Sequence, residues 1–175
     1  MLMTQETYDK LNILIAKTFE MNAFADNIAY NIDFSQYPRT GAIYHEAFAH
    51  HFPEIADTLS NLMIKLDARP VRHSLPGYTD DYSGNIVKMF EDTLTMCNIY
   101  RQEIISVIET AEDNGDIEVK IALEEFLLEF LPYKKQAGVW ATQANRYEEN
   151  YKAFDARIPT FTTFITIPDF DSDDN

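Results

Sequence analysis

Residues 45–66 read HEAFAHHFPEIADTLSNLMIKL, and within them Phe48, Phe52, Ile55, Leu59, Leu62 and Leu66 recur at steps of 4, 3, 4, 3 and 4. That spacing lines one face of an α-helix, and a stripe of this length marks a helix packed along its whole extent against others. This segment, helix B, ends before Pro70, because proline cannot continue the ladder of backbone hydrogen bonds. Upstream, residues 4–32 contain neither Gly nor Pro, begin with the cap-like cluster Thr4-Gln5-Glu6-Thr7, and repeat Leu11, Ile15, Phe19 and Ala23 with helical spacing. They form a long helix A, joined to B through Asp33 to Gly41.

Downstream, residues 68–84 carry Pro70, Pro76, Gly77 and Gly84 and are long enough to run the length of a bundle as a crossover. Ile86, Phe90, Leu94, Cys97, Ile104, Val107 and Ala111 trace helix C. It stops at Asp113-Asn114-Gly115-Asp116, where Asp116 is placed to cap the next helix. Helix D then runs from about Ile117 to Tyr147, with a kink expected at Pro132 and a weak point at Gly138. The predicted fold is all-α: a four-helix bundle of two antiparallel pairs with a long crossover between helices B and C, the ferritin-like arrangement. Thr160 to Ile167 alternate Thr with Phe or Ile, so Ile158 to Ile167 read as extended, and Asp169 to Asn175 as a solvated acidic tail. The expected organisation is a bundle over 1–155 and a non-helical C-terminal segment over 156–175.

Composition narrows the function. The chain of 175 residues has 14 basic and 29 acidic side chains, a formal charge of −15, with 46% hydrophobic residues. Such a surface repels polyanions and concentrates cations, which disfavours DNA binding and suits metal ions. One cysteine, Cys97, makes no internal disulfide, the N-terminal stretch lacks an export-type pattern, and no apolar run is long enough to span a bilayer. The expectation is a cytoplasmic protein with no membrane partner.

Local strings add a family resemblance. His45-Glu46-Ala47-Phe48, followed by Asp57, Leu66 and Pro70-Val71, resembles the helix B progression of the Dps miniferritins. Ala111 to Asp116 and Gln136-Ala137-Gly138-Val139-Trp140 resemble two further strings of that family, and the likeness covers Tyr8 to Tyr147. The resemblance implies a homo-oligomer, a dodecameric shell in that family. It also implies Fe(II) binding and oxidation to Fe(III) by O2 or H2O2, a ferroxidase activity serving iron storage or protection against oxidative stress. In the family the iron lies between subunits, held by two His from one chain and an Asp and a Glu four residues apart in helix B of the neighbour. With Pro70 as anchor those positions fall here on Tyr30, Ala42, Asp57 and Asn61, so three of the four ligands are changed. The basic DNA-binding arm of the family is absent too.

Two ligand constellations are read from the residues themselves. On helix B, Glu46, His50, Glu54, Asp57 and Asn61 follow at steps of 4, 4, 3 and 4, with His51 beside them. Carboxylate and imidazole at i and i+4 close on one Fe(II). The competing reading is a solvated flank whose His and acids pair with one another, and His45 extends the apolar seam as a core histidine. Separately, Glu20, Glu103 and Glu129 each stand among apolar neighbours on helices A, C and D. With His50 and Glu54 they could assemble a cage inside the bundle. Tyr30, Tyr37, Tyr44, Tyr78, Tyr82 and Tyr100 suggest a subunit interface. The rival function is a ferritin-like oligomeric scaffold or interaction protein that has lost its metal centre.

Overall fold

The computed structural model describes residues 1–169. Its helices are α1 (Gln5–Phe34), α2 (Pro38–Ile43), α3 (His51–Lys65), α4 (Ile86–Asp113), α5 (Ile117–Tyr147) and α6 (Tyr151–Phe161), with a π-helical turn over Tyr44–Ala49 between α2 and α3. Helix B is thus one rod in three parts. The bundle consists of α1, the α2–α3 rod, α4 and α5, and no strand occurs among the described residues. No described helix is long and apolar enough to cross a membrane.

The apolar stripes fill the interior as their spacing dictates. Phe48, Phe52, Ile55 and Leu59 are buried, and so are Ile86, Phe90, Cys97, Ile104, Val107 and Ala111 on α4. At the centre Tyr44, Phe48, Phe90 and Trp140 pack ring against ring, with centroids 5.1 to 5.8 Å apart. The two buried tyrosines find partners there. Thr18 Oγ1 donates to the Leu14 carbonyl at 2.8 Å, so the Tyr100 hydroxyl donates to Thr18 Oγ1 at 2.6 Å. In the same way Tyr44 donates to Thr93, whose own hydroxyl is given to Met89. Tyr44 and Tyr100 are therefore core residues and not interface residues, a correction to the reading from sequence: both rings lie on the seam and each hydroxyl is satisfied inside.

The crossover runs beside α1 in the same direction, tied by polar side chains on one face of that helix. Asn12 Oδ1 accepts from Val71 N at 2.7 Å, Glu20 Oε1 from the Tyr78 hydroxyl at 2.7 Å, and Asn31 Oδ1 from Tyr82 N at 2.9 Å. Asn27 and Asn31 both donate to the Asp80 carbonyl. From Asn12 to Asn31 this strap spans about 28 Å at the α-helical rise, most of the bundle.

Two local details differ from the sequence expectation, the role of Asp116 and the course of the C-terminal segment. Asp116 stands at the N-terminus of α5 but does not cap it with its side chain; its carboxylate accepts from Thr4 N and Thr4 Oγ1, locking the start of α1 to the α4–α5 turn. Helix α5 extends from Ile117 to Tyr147 with Pro132 inside it. The C-terminal segment is helical as far as Phe161, because Phe154, Ile158 and Phe161 keep helical spacing and Asn150 caps the start. Residues 162–169 are non-helical and are pinned by Gln136, which donates to the Phe161 carbonyl and accepts from Thr163 N and Phe164 N, and by Trp140 Nε1 on Thr162. Asp155 of α6 accepts from Thr40 N at 2.7 Å, so α6 crosses the predicted 155/156 boundary and packs on α2 and α5. The tail beyond Asp169 lies outside the described residues.

Candidate metal centre

The site grows out of Pro53. A proline has no N–H, so in a regular helix Pro53 would leave the Ala49 carbonyl without its partner four residues on. Here Asn22 Nδ2 of α1 donates to that carbonyl at 3.2 Å. Immediately before it the chain widens into the π turn, where His50 N bonds to His45 O at 3.0 Å, five residues back. Pro53 itself occupies the first turn of α3, where a missing donor costs nothing.

The widened turn changes which side chains meet. In a straight α-helix His45 and His50 would be about 140° apart around the axis. The π turn sets their rings side by side with centroids 4.3 Å apart. Glu46 Oε2 lies 3.1 Å from His50 Nδ1. His45, Glu46 and His50 are the one set of three or more His, Cys, Asp or Glu, among the described residues, whose donor atoms all lie within 4.8 Å of one another.

Helix α1 adds a fourth group. Asp26 Oδ1 lies 3.7 Å from His45 Nε2, beyond hydrogen-bond reach, and it is buried with no hydrogen-bond partner. Burial pushes the Asp26 carboxyl above its ordinary range, against the pull of positive charge on His45 and His50. An orphaned carboxylate oxygen beside His45, at the edge of the His45, Glu46 and His50 cluster, is an arrangement a cation would satisfy. Tyr30, one turn beyond Asp26, packs edge to face with His45 at 6.3 Å between ring centroids. A cavity of about 550 Å³ opens beside the group, lined by Asp33, Gly41, His45, Glu46 and Asp169 among others. Gly41 lets Asp33 lie close: a Cβ at that position would fall 1.9 Å from Asp33 Oδ1, and the exposed Asp33 side chain would have to swing away.

The remaining residues read from sequence lie elsewhere. Glu46 and His50 lie in the His45, Glu46 and His50 cluster. His51 points to the opposite flank, stacked flat on Tyr133 with centroids 3.8 Å apart, and its nearest carboxylate is Glu54 at 3.7 Å. Burial lowers its pKa, partly offset by Glu54. Glu54 and Asp57 are exposed on α3. Glu20 faces the crossover, bound by Tyr78 and by Lys17 at 3.1 Å, because the strap needs acceptors along that face of α1. Glu103 lines a small groove with Glu20, whereas Glu129 lies beside Glu125 in another between α3 and α5. The interior level where these acids were expected to meet is filled by Tyr100, Thr18, Phe52 and Phe130. Sequence reasoning missed Asp26 and placed His45 in the core; the signal for both was Pro53, whose consequence for helical phase it did not include.

No family model matches the chain, and no curated protein matches it. Among solved structures the chain is similar to an iron-soaked variant of PmFTN, a ferritin, with a TM-score of 0.79 and 15% identity over 87% of this chain and 99% of that one. At such identity the likeness is one of architecture, and together with the helix order and crossover it shows that the chain has the ferritin-like helical-bundle fold.

Proposed function

We propose that this protein binds Fe(II) at Asp26, His45, Glu46 and His50 and oxidises it with O2 or H2O2, storing Fe(III) or removing the reagents of oxidative damage. The observation that carries the reading is the π turn bringing two imidazoles and Glu46 together opposite an orphaned Asp26 oxygen. Mixed imidazole and carboxylate donors suit Fe(II), and π turns often mark functional positions in helices. The iron-soaked ferritin of like fold and the resemblance to miniferritins support the same reading. Iron here is substrate and cargo. Asp33, Glu46 and Asp169 around the adjoining cavity give cations a negatively charged approach.

The protein acts as a cytoplasmic homo-oligomer, a dodecamer by analogy with the miniferritins. Phe34, 90% exposed, and Tyr30, 61% exposed, lie at the end of α1 next to the centre, and Ile117, Ile121, Leu128 and Leu131 are exposed along α5, apolar surface that subunit contacts would cover.

The test is an anaerobic Fe(II) titration followed by admission of O2 and then of peroxide. Saturable binding with oxidation faster than the protein-free control, lost in His45→Ala and His50→Ala, supports the reading. A second function, a scaffold without metal chemistry, is favoured by the absence of ligands in the aromatic bundle interior. It predicts no iron binding and no metal-dependent change in melting temperature.

A further inference from the structure

Outside the metal centre, one cleft runs against the charge of the whole molecule. It lies between α4 and α5, has a volume of about 530 Å³, and is lined by Lys134, Lys135 and Arg146 with Asn98, Thr142 and Gln143. Among the described residues no carboxylate lines it, although the chain carries 29 acids against 14 bases. The three cations fall at i, i+1 and i+12 of α5, so the charge extends along more than three turns of one wall.

None of the three forms an ion pair among the described residues. Of the basic residues elsewhere, Lys17 pairs with Glu20, Lys88 with Asp92 and Lys120 with Glu112, and the rest are likewise without an ion pair among the described residues. Glu91, one turn before Leu94, is engaged instead by Asn145 Nδ2 at 3.3 Å. Lys135 lies over the Phe164 ring at 5.7 Å, held by the C-terminal segment that Gln136 pins. Lys134 is directed toward α4, where its charge opposes the burial that pushes the Cys97 thiol up to about 12.

The floor of the cleft is Gly138. A glycine inside a helix costs about 1 kcal/mol relative to alanine. Sterics do not demand it here, since a Cβ would meet only Leu94 Cδ1 at an ordinary 3.8 Å. What the missing side chain provides is depth between the two helices, with Leu94 and Val139 as apolar walls.

We propose that this cleft binds a small phosphate-bearing anion, with Lys134, Lys135 and Arg146 neutralising the phosphate oxygens and Asn98, Thr142 and Gln143 completing their hydrogen bonds. Three separated cations with neutral donors between them match a multiply charged tetrahedral oxyanion better than a single carboxylate. The volume falls in the range of small-molecule sites and leaves room for an organic part against Leu94 and Val139. A nucleic acid is a poorer fit, because its flanking phosphates would meet a surface of net charge −15. The site is independent of the iron reading.

The test uses the full-length, metal-free protein at constant ionic strength balanced with sodium chloride. Inorganic phosphate and pyrophosphate are titrated while calorimetry records binding and a melting curve records stability. Saturable binding, tighter for pyrophosphate, is expected. Lys134→Gln with Arg146→Gln should weaken it tenfold or more, Gly138→Leu should weaken it by filling the floor, and Lys152→Gln with Arg157→Gln on α6 should leave it unchanged. Circular dichroism checks that each variant keeps its helices; if Gly138→Leu unfolds, the exposed double charge variant still decides. Binding no stronger than the chloride control, or equal in the double variant, overturns the proposal. So does an oligomer that falls apart in the double variant without any phosphate effect, which would assign the cations to a neighbour's carboxylates.

Discussion

Asp26 Oδ1 lies 3.7 Å from His45 Nε2, buried and without a hydrogen bond. A carboxylate oxygen kept dry and unpaired costs about 1–3 kcal/mol, and more when charged. Asp26→Asn removes that charge while keeping the shape. The metal-free variant should melt at the same temperature as the parent or above it, whereas its iron affinity should fall at least tenfold. Melting curves with and without Fe(II) measure both effects; an unchanged iron-induced shift would remove Asp26 from the centre.

In the bundle interior, hydroxyl pairs stand in place of acids, and their order predicts an asymmetry. Thr18 keeps the Leu14 carbonyl when its neighbour is truncated, so Tyr100→Phe should cost about 1 kcal/mol. Thr18→Val strands the fully buried Tyr100 hydroxyl and should cost more, about 2–3 kcal/mol. Urea denaturation of the two variants gives the comparison, and equal costs would mean that water reaches Tyr100.

These two sites show what could be read from the sequence and what could not. The seam from Phe48 to Leu66, the crossover and the turn at Asn114-Gly115 were legible, because helical spacing and proline or glycine punctuation act locally. The place of Glu20 is not legible locally, because its partner, Tyr78, is 58 residues away and only the course of the crossover brings them together. Thr160 to Phe161 followed a strand-like alternation that gave way to α6, where Phe154 and Ile158 find a buried face. A regular helical period through residues 44–49 puts His45 on the core seam, and the widening of the chain by one residue there moves it out.

On the opposite flank of α3, His51 stacks on Tyr133 and is held toward its neutral form by burial. Its folded pKa lies below the ordinary 6.5, so as pH falls through 6.5 the unfolded chain takes up the proton first. Stability should therefore decline on acidification below about pH 6.5 and be unaffected by this group above it. His51→Phe preserves the stack and removes the titration. Melting temperatures between pH 7.5 and 5 should fall less steeply in the variant, and parallel curves would show that His51 protonates alike in both states.

Asp116 acts in the same direction at lower pH. Burial alone would raise its carboxyl, but hydrogen bonds from Thr7 and Thr4 outweigh that and hold it below the usual range. A carboxyl lowered in the folded state contributes stability above its unfolded pKa of about 3.8 and loses it as pH falls through the folded value. Asp116→Asn should abolish this part of the acid transition and loosen the junction of α1 with the α4–α5 turn. Amide exchange at Thr4 and Thr7 reports on it: faster exchange in the variant is expected, and unchanged protection would mean that Thr4 is held by other contacts.

Pro53 is the residue through which sequence shapes the proposed metal centre. Pro53→Ala restores an N–H able to bond the Ala49 carbonyl, which in the parent depends on Asn22. The regular helix that this favours would swing His45 away from His50 by most of a half-turn. Iron affinity should drop tenfold or more while the melting temperature of the metal-free protein stays level or rises, since a helix-breaking residue has been removed. Asn22→Ala works from the other side: it leaves the Ala49 carbonyl unpaired beside Pro53 and should lower the melting temperature by itself. Adding it to Pro53→Ala should cost little, because the restored N–H already satisfies that carbonyl. A double-mutant cycle on melting temperature and iron affinity measures the coupling, and strictly additive effects would mean that Pro53 and Asn22 do not act on the same carbonyl.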